Sequence, residues 1–373
     1  MRSDSGRCRA IFSDIPRADV CQARRRMTGD ILGAMGDDRL GRVLGGKWKV
    51  ESVLGHGGTS TVYLATEVSG GGRGALKVFH RELAKHPRVL KLLMAEARLV
   101  AAIDHPGTVK VLDDGVNADC AFIVFEVLVG ESLDDLRQSR GGRVPLGEMM
   151  PIGDAVMDAL SAVHRAGVVH RDLKPSNIHI LVGGGVKLLD FGFAKLRGYT
   201  ADAAQNIVGT ASFMPPEQAL GLTKKVDARS DVWSLGATLF FCLSGQSVHL
   251  GEHLDAMLLA SAQVKPRSLA DAAPELPSRV VAVVDRALLY PKAERWPDVD
   301  AMRTAWQEAH PHWLPSLPPP RFAADPAFLD ASDLLEDEEE HASKGALFDP
   351  RTDLFDSVKP RPPKPPRLPK QKP

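Results

Sequence analysis

Cysteine is scarce and scattered in this chain. Four thiols, Cys8, Cys21, Cys120 and Cys242, occur in 373 residues without a C-x-x-C pair or zinc-like spacing. That argues against a disulfide framework and a cysteine-bound metal, and for a reducing, cytoplasmic setting. Net charge is missing too: Lys+Arg 47 against Asp+Glu 47 leaves nothing to attract nucleic acid. Long hydrophobic runs are also absent. The longest, Val232 to Leu243, contains Ser234 and Gly236 and is too short to span a bilayer, and the N-terminus has no apolar signal-peptide core. What remains, 44% hydrophobic and 25% charged residues, is ordinary globular composition, and the length fits two domains or one of about 250 residues with tails.

The two ends have little to bury. Residues 1 to 45 are Arg-rich, as at Arg24-Arg25-Arg26, and broken by glycine, which reads as a flexible extension able to offer a basic contact patch. Met27 is a second plausible start, besides Met1. From 311 to 373 order signals fade again. Residues 325 to 340 hold eight carboxylates with Phe328, Leu334 and Leu335 between them, and residues 357 to 373 hold seven prolines and six Lys or Arg without an acid. A disordered tail follows, inert or usable as a pseudosubstrate, a docking peptide for a partner or a polyproline ligand.

Between these ends the periodicity is regular. Strands are expected at Trp48-Leu54, Thr61-Ala65, Ala75-Phe79, Thr108-Leu112, Cys120-Val127 and Val186-Leu189. Helices are expected at Val89-Ile103, Gly130-Ser139, Pro145-Ala166, Ser278-Leu289 and Val299-Ala309, with another opening at Asp231.

One stretch organises the rest: His170-Arg171-Asp172-Leu173-Lys174-Pro175-Ser176-Asn177. It sets a carboxylate, an ammonium two residues later and an amide five residues later on one loop. Together these can orient a hydroxyl, neutralise a phosphate and hold a divalent metal. Upstream, Gly55-His56-Gly57-Gly58-Thr59-Ser60 turns between two strands, and the glycines let backbone N–H groups approach phosphate oxygens. Downstream, Asp190-Phe191-Gly192 puts a carboxylate at a strand end, an arrangement suited to magnesium.

HRDLKPSN resembles the catalytic loop of the protein kinases, and Lys174 two residues after Asp172 is the form of their Ser/Thr branch. The chain is identified as similar to the bacterial Hanks-type (eukaryotic-like) serine/threonine kinases over residues 46 to 310. The resemblance implies an α+β, two-lobed kinase fold, with a small β-rich lobe at about 46 to 127 and a larger helical lobe at about 128 to 310. It implies ATP with Mg2+, or Mn2+ in its place, and protein substrates with Ser or Thr acceptors, whereas no nucleic acid and no membrane span are expected from the balanced charge and the missing apolar run. Asp172 would orient the nucleophile, Lys174 balance developing charge, and Asn177 and Asp190 bind the metal. Lys77, in Ala75-Leu76-Lys77-Val78, would clamp the phosphates, held by Glu96. Leu54, Gly55, His56, Gly57, Gly58, Val62 and Ala75 would line the nucleotide from above. Backbone groups at Glu126 and Leu128 would hold the adenine edge, Phe125 would guard the back of the pocket, and His179 would support the base from below.

The chain departs from the family pattern at three places. Ser60 stands where the Gly-rich loop usually has its third glycine, and His179 replaces an apolar floor residue. Arg171 suits an activation loop ordered by phosphate, yet Ala201 and Ala203 occupy the usual phosphothreonine positions. Thr200 as the single activating site, or Asp202 as an unmodified partner for Arg171, are the two resulting options. Thr210 resembles the threonine that bonds the catalytic Asp and Lys, and Glu217 is expected to pair with Arg295 in a buried bridge. A pseudokinase scaffold and a small-molecule kinase are the alternatives. Lys77, Asp172, Asn177 and Asp190 together argue against the first, and Lys174 with the segment Thr210 to Glu217 against the second.

Overall fold

Alternating apolar and polar residues after Trp48 build the first half of the molecule. In this computed structural model, which describes residues 38–80, 87–116, 120–191, 211–249 and 254–309, the chain begins with four strands. They are β1 (Val43–Leu44), β2 (Trp48–His56), β3 (Ser60–Glu67) and β4 (Arg73–Phe79). Helix α1 (Pro87–Ala101), β5 (Val111–Val116) and β6 (Ala121–Phe125) follow. The strands make one antiparallel sheet in the order β1-β2-β3-β4-β6-β5. The period of two sorts its faces. Val50, Tyr63, Leu76, Val78, Phe122 and Val124 close one core, while Phe79 and Ile123 pack with Met94 and Ala97 of α1.

The expected strand at Thr108-Leu112 starts later, at Val111. Thr108 instead makes an isolated parallel bridge to Leu188. At the other end, β1 pairs Val43 with Lys49 and Leu44 with Trp48, so regular structure reaches into the stretch expected to be an extension.

The second half is helical around a three-stranded sheet, β7 (Gly130–Ser132), β8 (Ile178–Leu181) and β9 (Val186–Leu188), in that order. Helices α2 (Leu133–Ser139) and α3 (Leu146–Arg165) precede β8. Then come α4 (Pro216–Ala219), α5 (Ala228–Ser244), α6 (Leu254–Gln263), α7 (Leu269–Ala272), α8 (Ser278–Ala287) and α9 (Val299–Glu308).

Gly130-Ser139, expected as one helix, divides into β7 and α2. Ser132 caps α2 by accepting from Asp135 N–H at 3.1 Å, so helix begins only at Leu133. Gly130 approaches the neighbouring strand so closely that a Cβ there would lie 1.9 Å from the Ile180 carbonyl oxygen. Helix α5 starts three residues before Asp231, with Asp227 as its cap. It is buried on every side, which explains its nearly continuous apolar run without a membrane. Its hydroxyls stay satisfied, since Thr238 and Ser244 donate to carbonyls four residues back at 2.8 and 2.7 Å. Among the described residues, no helix is long and apolar enough to cross a membrane. The acidic and proline-rich stretches after residue 310 lie outside the described residues.

Candidate active site

The loop from His170 to Asn177 hangs from one buried carboxylate. Asp231, in the first turn of α5, is wholly buried and accepts the His170 N–H at 2.7 Å and the Arg171 N–H at 2.8 Å. His164 Nε2 lies 2.8 Å from the same carboxylate. A buried charge needs such directed donors. The backbone they hold is strained, because Arg171 takes φ +67°, a region that a bulky side chain enters only when its surroundings impose it. Gln218 Nε2 donates to the Arg171 carbonyl at 3.0 Å and secures the other side.

On this frame Asp172, 8% exposed, meets its expected companions. Asn177 Nδ2 donates to the Asp172 carbonyl at 2.8 Å and to its Oδ2 at 3.2 Å, and Lys174 Nζ lies 3.4 Å from Oδ2. A small pocket lies beside Asp172, lined also by Phe213, Met214, Gln218 and Ser234.

Asp190 follows β9 with φ +60°. Lys77, almost fully buried on β4, reaches it with Nζ 2.5 Å from Oδ1. Burial opposes ionisation of Asp190, but the Lys77 charge and hydrogen bond, with help from Lys174, hold its carboxyl below the ordinary range. The expected partner of Lys77 was Glu96. Its backbone lies in α1, but its side chain is outside the described residues, and the described pairing joins Lys77 to Asp190. Leu189 N–H donates to the Asn177 carbonyl at 2.9 Å, tying the catalytic loop to the strand end that bears Asp190. Phe191 lies against the buried His170 ring, with centroids 4.6 Å apart. Burial pushes the His170 imidazole below its ordinary pKa despite Asp231, Asp172 and Asp190 nearby.

The residues expected to face a nucleotide lie on β2, β3, β4 and around the end of β6. Gly55 and His56 end β2 opposite Val62 and Thr61, and Gly57 N–H donates to the Ser60 carbonyl at 2.8 Å across the turn containing Gly58. Leu54 is the extra residue of a bulge, since Val53 faces Tyr63 while Gly55 faces Val62. Val62 lies opposite Lys77, and Ala75 opposite Phe125. Phe125 is half-buried and packs against the cores of both halves. Glu126 to Val129 form the linker without regular structure.

His179 sits on β8 with its Nε2 buried and unpartnered. Burial pushes this imidazole down, Asp135 pulling the other way, so the ring is neutral and apolar enough to lie under a base. The unfolded chain binds this proton more readily than the folded one. Stability is therefore full above the ordinary value of about 6.5 and declines as pH falls below it, towards the folded value. His179→Leu should flatten the decline in melting temperature between about pH 7 and about pH 5. Parallel curves for variant and wild type would remove His179 as a source of it.

Two buried charges of this region are not legible in the sequence as partners of the loop and the linker. Asp231 reads as a helix start and Lys187 as one residue of a strand, although a charge inside V-K-L-L or S-D-V-W is itself the signal that each has a partner. Glu217 and Arg295 do meet, with the two terminal guanidinium nitrogens each 3.0 Å from a carboxylate oxygen. Gly192, Tyr199 to Ala203, Gly209 and Thr210 lie outside the described residues, as do both options for ordering the activation loop.

Comparison with known proteins identifies the family of the chain. Residues 48–307 match the family described as protein kinase domain. The chain is 35% identical over 298 residues to serine/threonine-protein kinase pkn2 of Myxococcus xanthus, covering 76% of this chain and 35% of that protein. It is 33% identical over 303 residues to serine/threonine-protein kinase PknA of Mycobacterium tuberculosis, covering 78% of this chain and 68% of that protein. Against Pkn1 of M. xanthus the match spans 39% of the relative, so this chain corresponds to well under half of several relatives. Among solved structures, the M. tuberculosis PknI kinase domain superposes with a TM-score of 0.59 at 25% identity, covering 72% of this chain and 98% of that one.

Proposed function

We propose, from the premise that this chain belongs to the protein kinase family among relatives of the bacterial Hanks type, that it transfers the γ-phosphoryl group of ATP to Ser or Thr hydroxyls of proteins. The observation that carries this reading is the meeting of two charge clusters from distant parts of the chain. Asp172 with Asn177 and Lys174 forms one, and Asp190 with Lys77 the other.

Asp172, beside the small pocket, orients the acceptor hydroxyl and accepts its proton, while Lys174 balances charge on the transferred group. Asn177 and Asp190 offer oxygen ligands of the kind magnesium prefers, and manganese suits the same donors. A metal held by these two residues would supply charge neutralisation at the phosphates. Lys77 serves the α- and β-phosphates, and the N–H groups of Gly55 to Gly58 close over them. Leu54, Val62 and Ala75 from above and His179 from below enclose the base, whose edge the backbone at Glu126 and Leu128 holds. The work is mostly positioning and electrostatic stabilisation. The scattered cysteines support a cytoplasmic setting, and the segments after residue 310 offer a partner protein something to bind.

Incubation of the purified protein with ATP, magnesium and a generic Ser/Thr substrate, followed by phosphosite mapping, tests the activity and the acceptor class together. Phosphate on Ser or Thr is expected, and no transfer under any metal condition would overturn the reading. Lys77→Met should lower kcat/KM for ATP on the order of a hundredfold, because phosphates and Asp190 lose their shared cation. Unchanged turnover at every ATP concentration would remove Lys77 from the site.

A further inference from the structure

A second buried lysine has no part in the chemistry above. Lys187, the middle residue of β9, is 2% exposed and precedes Asp190 by three residues. Lysine in such a place needs partners. Its Nζ donates to Glu126 Oε1 at 2.5 Å and to the Thr108 carbonyl at 3.0 Å. Glu126 is in turn joined to the entry of β5: its carboxylate accepts the Lys110 N–H at 2.8 Å, and its own N–H donates to the Lys110 carbonyl at 3.0 Å. Beside them Thr108 bridges Leu188, whose N–H donates to the Gly107 carbonyl at 2.8 Å. Three stretches therefore meet around one ammonium: residues 107–110, the linker and β9.

Stability alone does not account for this arrangement. An apolar side chain would fill the same volume, and exchanging a buried ion pair for packed apolar groups is often neutral or stabilising. What the apolar substitute lacks is direction. The ammonium binds particular oxygens, and one of them belongs to the residue whose backbone would face the adenine edge.

We propose that Lys187 is a positioning residue for the nucleotide base, acting through Glu126. From the buried side it sets the linker backbone at Glu126 to Leu128 relative to β9. Lys187 is also directly opposite His179 in the β8/β9 register, so the same residue relates the edge of the base pocket to its floor. The proposal rests on the ATP reading above and assigns base placement to a side chain that does not itself touch the nucleotide.

The test is calorimetric titration of adenosine and of ADP into wild type, Lys187→Met, Glu126→Gln and the double variant, with kcat and KM for ATP and a melting curve for each. Lys187→Met should weaken adenosine and ADP alike, by about tenfold, below the roughly hundredfold that a 1 Å misplacement can bring. KM for ATP should rise in step while kcat changes by less than about twofold, since uniform binding and not transition-state binding is lost. Lys77→Met is the contrast, expected to weaken ADP but not adenosine. Glu126→Gln keeps the side-chain shape and an acceptor for the Lys110 N–H, so it answers the question if Lys187→Met does not fold. The double variant should lose no more than the worse single one, because the two residues act as one unit. Unchanged affinities and KM in the folded variants, with only the melting temperature lowered, would show a purely structural pair and overturn the proposal. If wild type itself binds neither ligand, the ATP reading fails instead.

Discussion

Asp172→Ala should lower phosphoryl transfer by about a hundredfold or more and leave the protein folded. In the proposed reaction this carboxylate faces the acceptor, and its loss removes the means of orienting the incoming hydroxyl. The loop keeps its shape for reasons independent of that side chain. Asn177 Nδ2 retains its 2.8 Å bond to the Asp172 carbonyl, and the backbone at His170 and Arg171 stays on Asp231. Asp190→Ala should cause a loss of similar size by removing a metal ligand. It should also lower the melting temperature more than Asp172→Ala does, because it deletes the carboxylate 2.5 Å from the buried Lys77 ammonium. Initial rates with ATP and magnesium, set beside thermal melts, check both statements. Full activity in either variant would end the assignment of that residue.

The largest effect on stability is expected at the buried pair of Glu217 and Arg295, one residue from the Gln218 that secures the Arg171 carbonyl. Arg295→Met leaves the Glu217 carboxylate, 6% exposed, without the guanidinium that contacts both its oxygens at 3.0 Å. Ser230 still donates to it at 2.6 Å, and Lys292 lies 3.6 Å away, but neither replaces a bidentate partner. Arg295 also donates to the Leu289 and Arg229 carbonyls at 2.9 and 3.1 Å and lies over the Trp233 ring, all of which the variant loses.

Breaking a buried pair from one side destabilises by about 3–5 kcal/mol, which for a domain of this size lowers the melting temperature on the order of 10 °C. Adding Glu217→Gln should restore part of the loss, because the stranded charge goes with it. Burial opposes ionisation of Glu217, but Arg295 outweighs it and holds the carboxyl below its ordinary value of 4.5. The contribution of the pair is therefore full above that value and fades as pH falls through the folded-state value. Wild type and Arg295→Met should accordingly converge in strongly acidic solution. A melting temperature for Arg295→Met within a degree or two of wild type at neutral pH would show that the pair does not support this region.

The sequence by itself determined the chemistry that sits on continuous chain. Asp172, Lys174 and Asn177 occur within six residues of one loop, so their spacing alone brings carboxylate, ammonium and amide together. The alternation in β2, β3 and β4 likewise placed Val62, Ala75 and Lys77, because side-chain direction in a strand depends only on parity. Even Glu217 and Arg295, far apart in number, were legible through resemblance to a family in which the pair recurs.

Tertiary structure decided which charge each buried charge answers. Lys77 meets Asp190 across 113 positions, Asp231 holds the backbone of His170 across 61, and Lys187 meets Glu126 across 61. Local propensity carries no information about such partners. A buried ion must be neutralised by whatever packing brings within about 3 Å, and that distance is settled only when the sheets and helices have closed on one another. The same holds for the divided Gly130-Ser139 segment. Its composition allowed helix throughout, and only the approach of the Ile180 carbonyl to Gly130, with β8 alongside to pair, turned its first three residues into strand.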